Sequence, residues 1–194
     1  MMKIRFNLLG SLFILIVLAA FTSCEKSISE EKIGIEKVYI PESISVNTTD
    51  NNYSVPSKVN DKVVYGPAQN FLDDDANNKV LVYLGVSKSG KETTESFSVD
   101  LMSRPDTINQ LITTNGATFL QLPETAYTLP ASVTLASGEA TTSFNLVIDK
   151  PMLKTYAGKK VAVCVALSNP TRYMLNSRAS KVIIIIDVDA LKLK

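Results

Sequence analysis

Apart from one leading apolar block, the hydrophobic positions of this chain recur with a period of two, in short runs separated by turn residues. The block is Phe6 to Phe21, interrupted only by Asn7, Gly10 and Ser11. Lys37 to Ile40 predicts a short strand ending at Pro41, a residue that cannot donate to a β-ladder. Val63 to Tyr65 predicts another, with a polar, turn-rich stretch from Asn47 to Asn52 between them. Val80 to Leu84 is apolar at every position, which predicts a central strand covered on both faces. Lys88-Ser89-Gly90-Lys91 turns the chain. From Glu95 to Met102, Phe97, Val99 and Leu101 fall on one face and Ser96, Ser98 and Asp100 on the other, so this half-solvated strand is expected to form a hairpin with the run before it.

Pro105 to Thr114 breaks the alternation. Ile108, Leu111 and Ile112 are spaced for one helical face, and Asn115-Gly116 suits a left-handed helix end. Ser132 to Leu135 and Thr142 to Ile148 flank Ser137-Gly138-Glu139 and predict a second hairpin, with Phe144, Leu146 and Ile148 inward. Val161 to Leu167 and Lys181 to Val188 complete the set, the second with Ile183 to Ile186 apolar on both faces. Seven or eight strands, one short helix and no βαβ rhythm predict an all-β fold: an immunoglobulin-like antiparallel β-sandwich. A small up-and-down barrel is the alternative. With no tryptophan and only two cysteines, such a sandwich has to pack on aliphatic side chains, Phe and Tyr.

The leading block has its own chemistry. Lys3 and Arg5 precede it, and Thr22-Ser23-Cys24 follows it, the pattern of a secretory signal with a lipoprotein cleavage site. It is too short and too interrupted for a membrane-spanning helix, which takes about 18 or more apolar residues. The expected organisation is a signal peptide over residues 1–23, a lipidated tether over 24–36 and a β-sandwich domain over 37–194. Cys24 is the expected attachment point for diacylglycerol and palmitate-type chains, each buried CH2 contributing about 0.8 kcal/mol to membrane binding. Glu25, Glu30 and Glu31 close behind it resemble an export signal for surface display. The expected location is therefore the outer membrane, lipid-anchored and surface-exposed, with the periplasmic face as the alternative.

Charge and residue usage narrow the chemistry. Twenty basic residues stand against nineteen acidic ones, and the leader holds two of the former and none of the latter. The exported part is near neutral, which gives no electrostatic footprint for nucleic acid. The chain has no histidine, so a Ser-His-Asp triad, a Cys-His pair and a histidine-ligated zinc are impossible. Lipidation of Cys24 leaves Cys164 alone, in a run that reads as a buried strand.

From Pro105 onward the residues resemble a known family. The helix is followed by Asn115-Gly116 and Phe119, then by Leu122-Pro123-Glu124 and Tyr127, then by Val133, Leu135 and Gly138. Tyr173, Leu175 and Asn176 precede the final strand, and Val38-Tyr39-Ile40 fits near the start. This pattern resembles the Bacteroidetes domain of unknown function 1735, a β-sandwich near the N-terminus of surface lipoproteins. The resemblance implies a turn into a strand with Tyr127 packed beneath it, and positive φ at Gly138. Where the family often has Leu-Pro entering the penultimate strand, this chain has Lys159-Lys160-Val161. Domains of this kind are similar to those fused to carbohydrate-binding or glycosidase domains in glycan-capture systems. Ending at Lys194, the chain is expected to carry no such partner domain itself.

Candidate sites are few. Asp73-Asp74-Asp75 is rich in oxygen, but an EF-hand starting there needs Gly and Glu where the chain has Asn78 and Leu84, so no metal and no cofactor are assigned. Sugar binding calls for flat rings on an exposed face beside amides or carboxylates. Tyr53, Tyr65, Tyr156 and Tyr173 lie in polar or turn-like surroundings and are the candidate ligand contacts, whereas Tyr83 and Tyr127 read as structural. Asp106-Thr107-Ile108 resembles a bacterial O-glycosylation signal at Thr107, the plainer reading being a helix cap. No residue is assigned a catalytic role. The expected function is a non-catalytic surface module accessory to glycan capture, its partners a polysaccharide or a surface protein complex. A fimbrillin-like subunit is the alternative, and a glycosidase relying on carboxylates alone the least favoured.

Overall fold

Alternating side chains on the long strands divide the domain into two layers around one apolar core. The computed structural model describes residues 35–44, 51–59, 62–66, 69–90 and 95–194. The leader, Cys24 and the tether as far as Gly34 lie outside the described residues. In chain order the strands are β1 (Lys37–Tyr39), β2 (Asn52–Val55), β3 (Lys58–Val59), β4 (Lys62–Val63), β5 (Phe71–Asp74), β6 (Lys79–Lys88) and β7 (Phe97–Ser103). They continue as β8 (Leu120–Gln121), β9 (Tyr127–Thr128), β10 (Ser132–Leu135), β11 (Thr141–Asp149), β12 (Lys160–Ser168), β13 (Met174–Leu175) and β14 (Lys181–Asp187). Among the described residues two α-helices, α1 (Pro105–Asn115) and α2 (Lys150–Lys154), interrupt them.

One sheet has the order β13-β1-β6-β11-β9, with β5 also on β6. The other has the order β10-β7-β12-β14-β2, with β8 also on β12, while β3 and β4 form a separate ribbon. The architecture is the immunoglobulin-like sandwich. Val80, Val82, Leu84 and Val86 face Phe97, Val99 and Leu101 through a single core that includes Phe144, Leu146, Ile148, Val163, Val165, Ile184 and Ile186. Each such side chain, fully buried, contributes about 1.5–3 kcal/mol.

Both expected hairpins are corrected by the pairing. β6 pairs with β1, β5 and β11, whereas β7 pairs with β10 and β12. β10 and β11 likewise lie in different sheets. A period of two specifies which face is buried but not which strand lies alongside, and here the connections cross from layer to layer. Three pairings are parallel: β1 with β13, β8 with β12 and β2 with β14. The sequence missed β2, whose Asn52 falls at the end of the stretch read as turn. It also placed strand structure over Val63 to Tyr65 where only Lys62–Val63 is strand.

α1 follows the expectation. Ile108 is buried, Leu111 and Ile112 pack beside it, and Gly116 at φ 67° caps the helix with its N–H on the Leu111 carbonyl. Glycine adopts that left-handed conformation without a Cβ clash. The helix lies on the outer face of the second sheet, where Ile108 meets Ala162, Cys164 and Ile183 in a second, smaller core. Its start differs from the cap reading: Arg104 is the N-cap, with no side-chain cap bond. Asp106 instead accepts two bonds from the Arg104 guanidinium, at 3.1 and 3.0 Å. The second helix, α2, was not expected. Asp149 caps it by accepting the Met152 N–H at 3.0 Å.

Candidate functional site: an aromatic sheet face

β6 is the strand on which the face is built. Its even-numbered residues enter the core, so Leu81, Tyr83, Gly85 and Ser87 point the other way. Tyr83 is 42% exposed. The expectation that Val80 to Leu84 is covered on both faces fails at Tyr83, and with it the structural reading of Tyr83 is corrected. The register sets Asn145 of β11 opposite Tyr83, and sets Val147 of β11 and Leu72 of β5 on either side of Leu81. Cross-strand neighbours on one face lie about 4.5–5.5 Å apart at Cβ. A phenol ring, an amide and three aliphatic side chains thus share one outer face, with Leu72 also 42% exposed.

β11 pairs with one edge of β6 at Tyr83, and on the other edge the backbone there is held by a loop carbonyl and two side chains rather than by a strand. β5 covers β6 only as far as Val82, and β1 only from Ser87. In the gap, the Tyr83 N–H donates to the Asn70 carbonyl at 3.1 Å. The Tyr53 hydroxyl donates to the Tyr83 carbonyl at 3.3 Å. The Gly85 N–H donates to Glu42 Oε2 at 3.1 Å. The approach is close: a Cβ at Gly85 would make ordinary contacts, 3.4 Å from the Thr142 carbonyl, 3.7 Å from Glu42 Oε1 and 3.8 Å from Pro41, and a longer side chain would meet the turn. The single turn Pro41–Ser43 therefore sits against the face and bounds one end of it. Burial raises the Glu42 carboxyl above the usual range, against the bonds from its own and the Gly85 N–H. It also raises the Tyr53 phenol, which Asn70 opposes and the Glu42 charge reinforces.

The four tyrosines proposed from sequence do not converge. Tyr53 is half-buried against the core and supports the Tyr83 backbone from behind. Tyr65 is 45% exposed, donates its hydroxyl to the Ala190 carbonyl at 3.1 Å and carries the Lys192 ammonium 4.3 Å from its ring centroid. Tyr156 is half-buried against the main core. Tyr173, at φ 67°, meets Phe97 edge-on at 5.0 Å and lies under the Lys88 ammonium at 4.7 Å. The signal that finds Tyr83 is its odd-numbered place on β6, out of phase with Val82 and Leu84.

Tyr127 is structural, as read: it is buried, and its hydroxyl lies 2.5 Å from Ser103 Oγ. Gly138 has φ 82°, as the family resemblance implies. Thr107 is half-buried in the first turn of α1, above the sheet that holds the buried Cys164, whose thiol pKa burial raises. The acidic run has an internal partner. Lys150 is almost wholly buried and places its ammonium 2.6 Å from Asp73 and 2.7 Å from Asp75. Those bonds hold the Lys150 pKa up and the Asp75 pKa down.

An immunoglobulin-like sandwich with an exposed aromatic outer face is the class that these observations define. A family model described as "-like, N-terminal domain" matches residues 35–174. The chain belongs to that family, as a Bacteroidetes domain of the type of domain of unknown function 1735. Among solved structures, a candidate carbohydrate binding protein from Bacteroides ovatus ATCC 8483 is similar with TM-score 0.53 and 12% identity, over 77% of this chain and 36% of that one. A Bacteroides ovatus protein of unknown function is similar with TM-score 0.51 and 14% identity, over 77% and 46%. A multidomain protein including DUF1735, also from Bacteroides ovatus, matches with TM-score 0.44 and 14% identity, over 57% and 36%. At these identities the likeness is one of fold, and this chain spans only 36% to 46% of those proteins. No curated protein matches the sequence.

Proposed function

We propose that this protein is a non-catalytic, glycan-associated module, carried on a lipoprotein anchored at Cys24 in the outer membrane and displayed at the cell surface. The observation that carries the reading is the pairing of the exposed Tyr83 ring with Asn145 on an open sheet face. A ring stacks on the C–H face of a sugar, and an amide both donates to and accepts from its hydroxyls. Leu72, Leu81 and Val147 extend the apolar part of the platform. A fold held by strands keeps that surface in place before any ligand arrives, which lowers the ordering cost of binding. The candidate carbohydrate binding protein of similar fold supports the same reading. The leader pattern and the acidic residues after Cys24 support the location.

Isothermal titration of the protein against a panel of neutral polysaccharides tests the function. At least one member is expected to release heat, and Tyr83→Ala is expected to weaken it by about tenfold or more, as for an aromatic anchor at an interface. No heat from any member, with no partner recovered from intact cells, overturns the proposal. The location is tested separately by mass spectrometry of the membrane-extracted protein, which is expected to show a chain beginning at an acylated Cys24. An intact leader with a free Cys24 thiol overturns that part.

A further inference from the structure

β11 offers its backbone to strands on both sides, but only one side is filled along its length. On β6, the Tyr83 and Gly85 N–H groups donate away from β11, to the Asn70 carbonyl and to Glu42. Bonded and unbonded pairs alternate along an antiparallel ladder, so Val82, Leu84 and Val86 are the residues that bond across to Leu146, Phe144 and Thr142. The same phase holds at both ends, where the Lys88 N–H meets the Ala140 carbonyl and the Lys150 N–H meets the Asn78 carbonyl. The N–H and C=O groups of Thr141, Ser143, Asn145 and Val147 therefore point away from β6. β9 reaches β11 only at Val147 and Ile148. Among the described residues, no partner bonds the outward backbone groups of Thr141, Ser143 and Asn145.

An edge of this kind is a template for another extended chain, and folded proteins usually blunt it with charge, proline or a bulge. Residues 141–145 carry no charge and no proline, and their register with β6 runs unbroken. Thr141 and Ser143 are exposed, and Asn145 is half-buried. The turn closed by the Glu139 N–H on the Ala136 carbonyl bounds the strip at one end, and Thr128 of β9 bounds it at the other. β10 also ends its sheet, but the Leu101 N–H on the Ala131 carbonyl sets a phase that leaves only Ser132 and Thr134 outward, close behind Pro130. The β11 strip is the longer edge.

We infer that residues 141–145 pair antiparallel with the same strip of a second copy of this chain, about a two-fold axis at Ser143. Outward donors and acceptors recurring every second residue, about 6.8 Å apart, are matched by another extended strand. The strip matches itself in length and in phase. Ser143 falls opposite Ser143 of the second copy and Thr141 opposite its Asn145, and these pairs exchange about six backbone hydrogen bonds. No like charges meet, and hydroxyl and amide side chains lie where cross-strand pairs bond. The contact is isologous, so it closes at a dimer instead of growing into a fibre. An axis normal to the sheet keeps both outer faces on one side, which sets two Tyr83 rings on one continuous surface.

Size-exclusion chromatography with light scattering, on the full chain under reducing conditions, is expected to show a dimer whose fraction rises with concentration. Ser143→Lys, at an exposed position, sets two ammonium groups opposite each other and is expected to weaken association by about tenfold or more. Ser143→Glu is expected to do the same, and an equimolar mixture of the two variants to recover the dimer. Amide hydrogen exchange of the unaltered chain reads the strip directly: Ser143 and Asn145 are expected to slow on concentration, whereas Thr142 and Phe144 are protected throughout. A monomer at every concentration, a dimer indifferent to both charged variants, no recovery on mixing, or edge amides that exchange fast in the dimer overturns the inference. The pairing does not rest on the glycan reading. A monomer that binds polysaccharide overturns the pairing alone, and a dimer that binds none overturns only the sheet-face reading.

Discussion

Replacing Ile108 with alanine removes the main attachment of α1 to the second sheet. Ile108 is 1% exposed and packs on Ala162, Cys164 and Ile183. The substitution deletes three carbons, about 2.4 kcal/mol at about 0.8 kcal/mol for each buried CH2. A residual cavity adds to this, and alanine's better helix propensity returns a few tenths of a kcal/mol. Partial collapse of the helix edge limits the cavity, so the expected loss is about 2–3 kcal/mol. An eleven-residue helix is marginal on its own, so the same change is expected to open the layer above Cys164. Urea unfolding reads the first effect. Labelling with a thiol reagent, mapped by peptide mass to Cys164, reads the second, with faster modification expected in Ile108→Ala. Gln110→Ala, at an exposed position of the same helix, is the control and is expected to shift stability by no more than about 0.5 kcal/mol. Equal stability of Ile108→Ala and its parent, with Cys164 equally protected, would refute the docking argument.

Further outcomes follow from individual contacts. Tyr127→Phe removes the hydroxyl that meets Ser103 Oγ and is expected to cost about 1 kcal/mol in urea unfolding. Lys150→Met leaves Asp73 and Asp75 facing each other without their cation and is expected to lower the melting temperature at neutral pH. The wild-type pair has a pH signature. Asp75 is depressed in the fold, so its contribution is present above the ordinary value of 3.8 and is lost as pH falls through its lower folded value. Lys150 is raised, so its contribution is complete below the ordinary value of 10.5 and is lost as pH rises through its higher folded value. Melting curves across pH are expected to show both losses in the wild type and to flatten at both ends in Lys150→Met. Gly85→Leu is expected to displace the Pro41–Ser43 turn and expose Glu42, whereas Gly85→Ala, meeting only ordinary contacts, keeps the native melting temperature within a few degrees.

Much of the layer structure was legible because period-two alternation reports burial directly. Phe97, Val99 and Leu101, and Phe144, Leu146 and Ile148, all face the core as their spacing indicates. α1 was legible from Ile108, Leu111 and Ile112 together with the glycine that ends it. Strand neighbours were not legible, since Val80 to Leu84 and Phe97 to Leu101 carry no mark of belonging to different sheets. The partner of Asp73 and Asp75 lies more than seventy residues away at Lys150, beyond the reach of any local motif. The candidate face was obscured for a related reason. Leu81 and Tyr83 are apolar enough to read as core, and the exposure of Tyr83 is set by which of the described elements pack on that side of β6, where the Pro41–Ser43 turn reaches only Gly85. Tyr65 was singled out for its surroundings, and the open edge of β11 emerges only once the strand pairing is in place.

The central claim is that the outer face of β6 and β11 meets glycan. Amide and side-chain NMR spectra, recorded while titrating a polysaccharide that binds in calorimetry, test it residue by residue. The account predicts that the largest shifts fall on Leu72, Leu81, Tyr83, Asn145 and Val147. Binding that leaves these five unmoved while shifting residues on another face would contradict it.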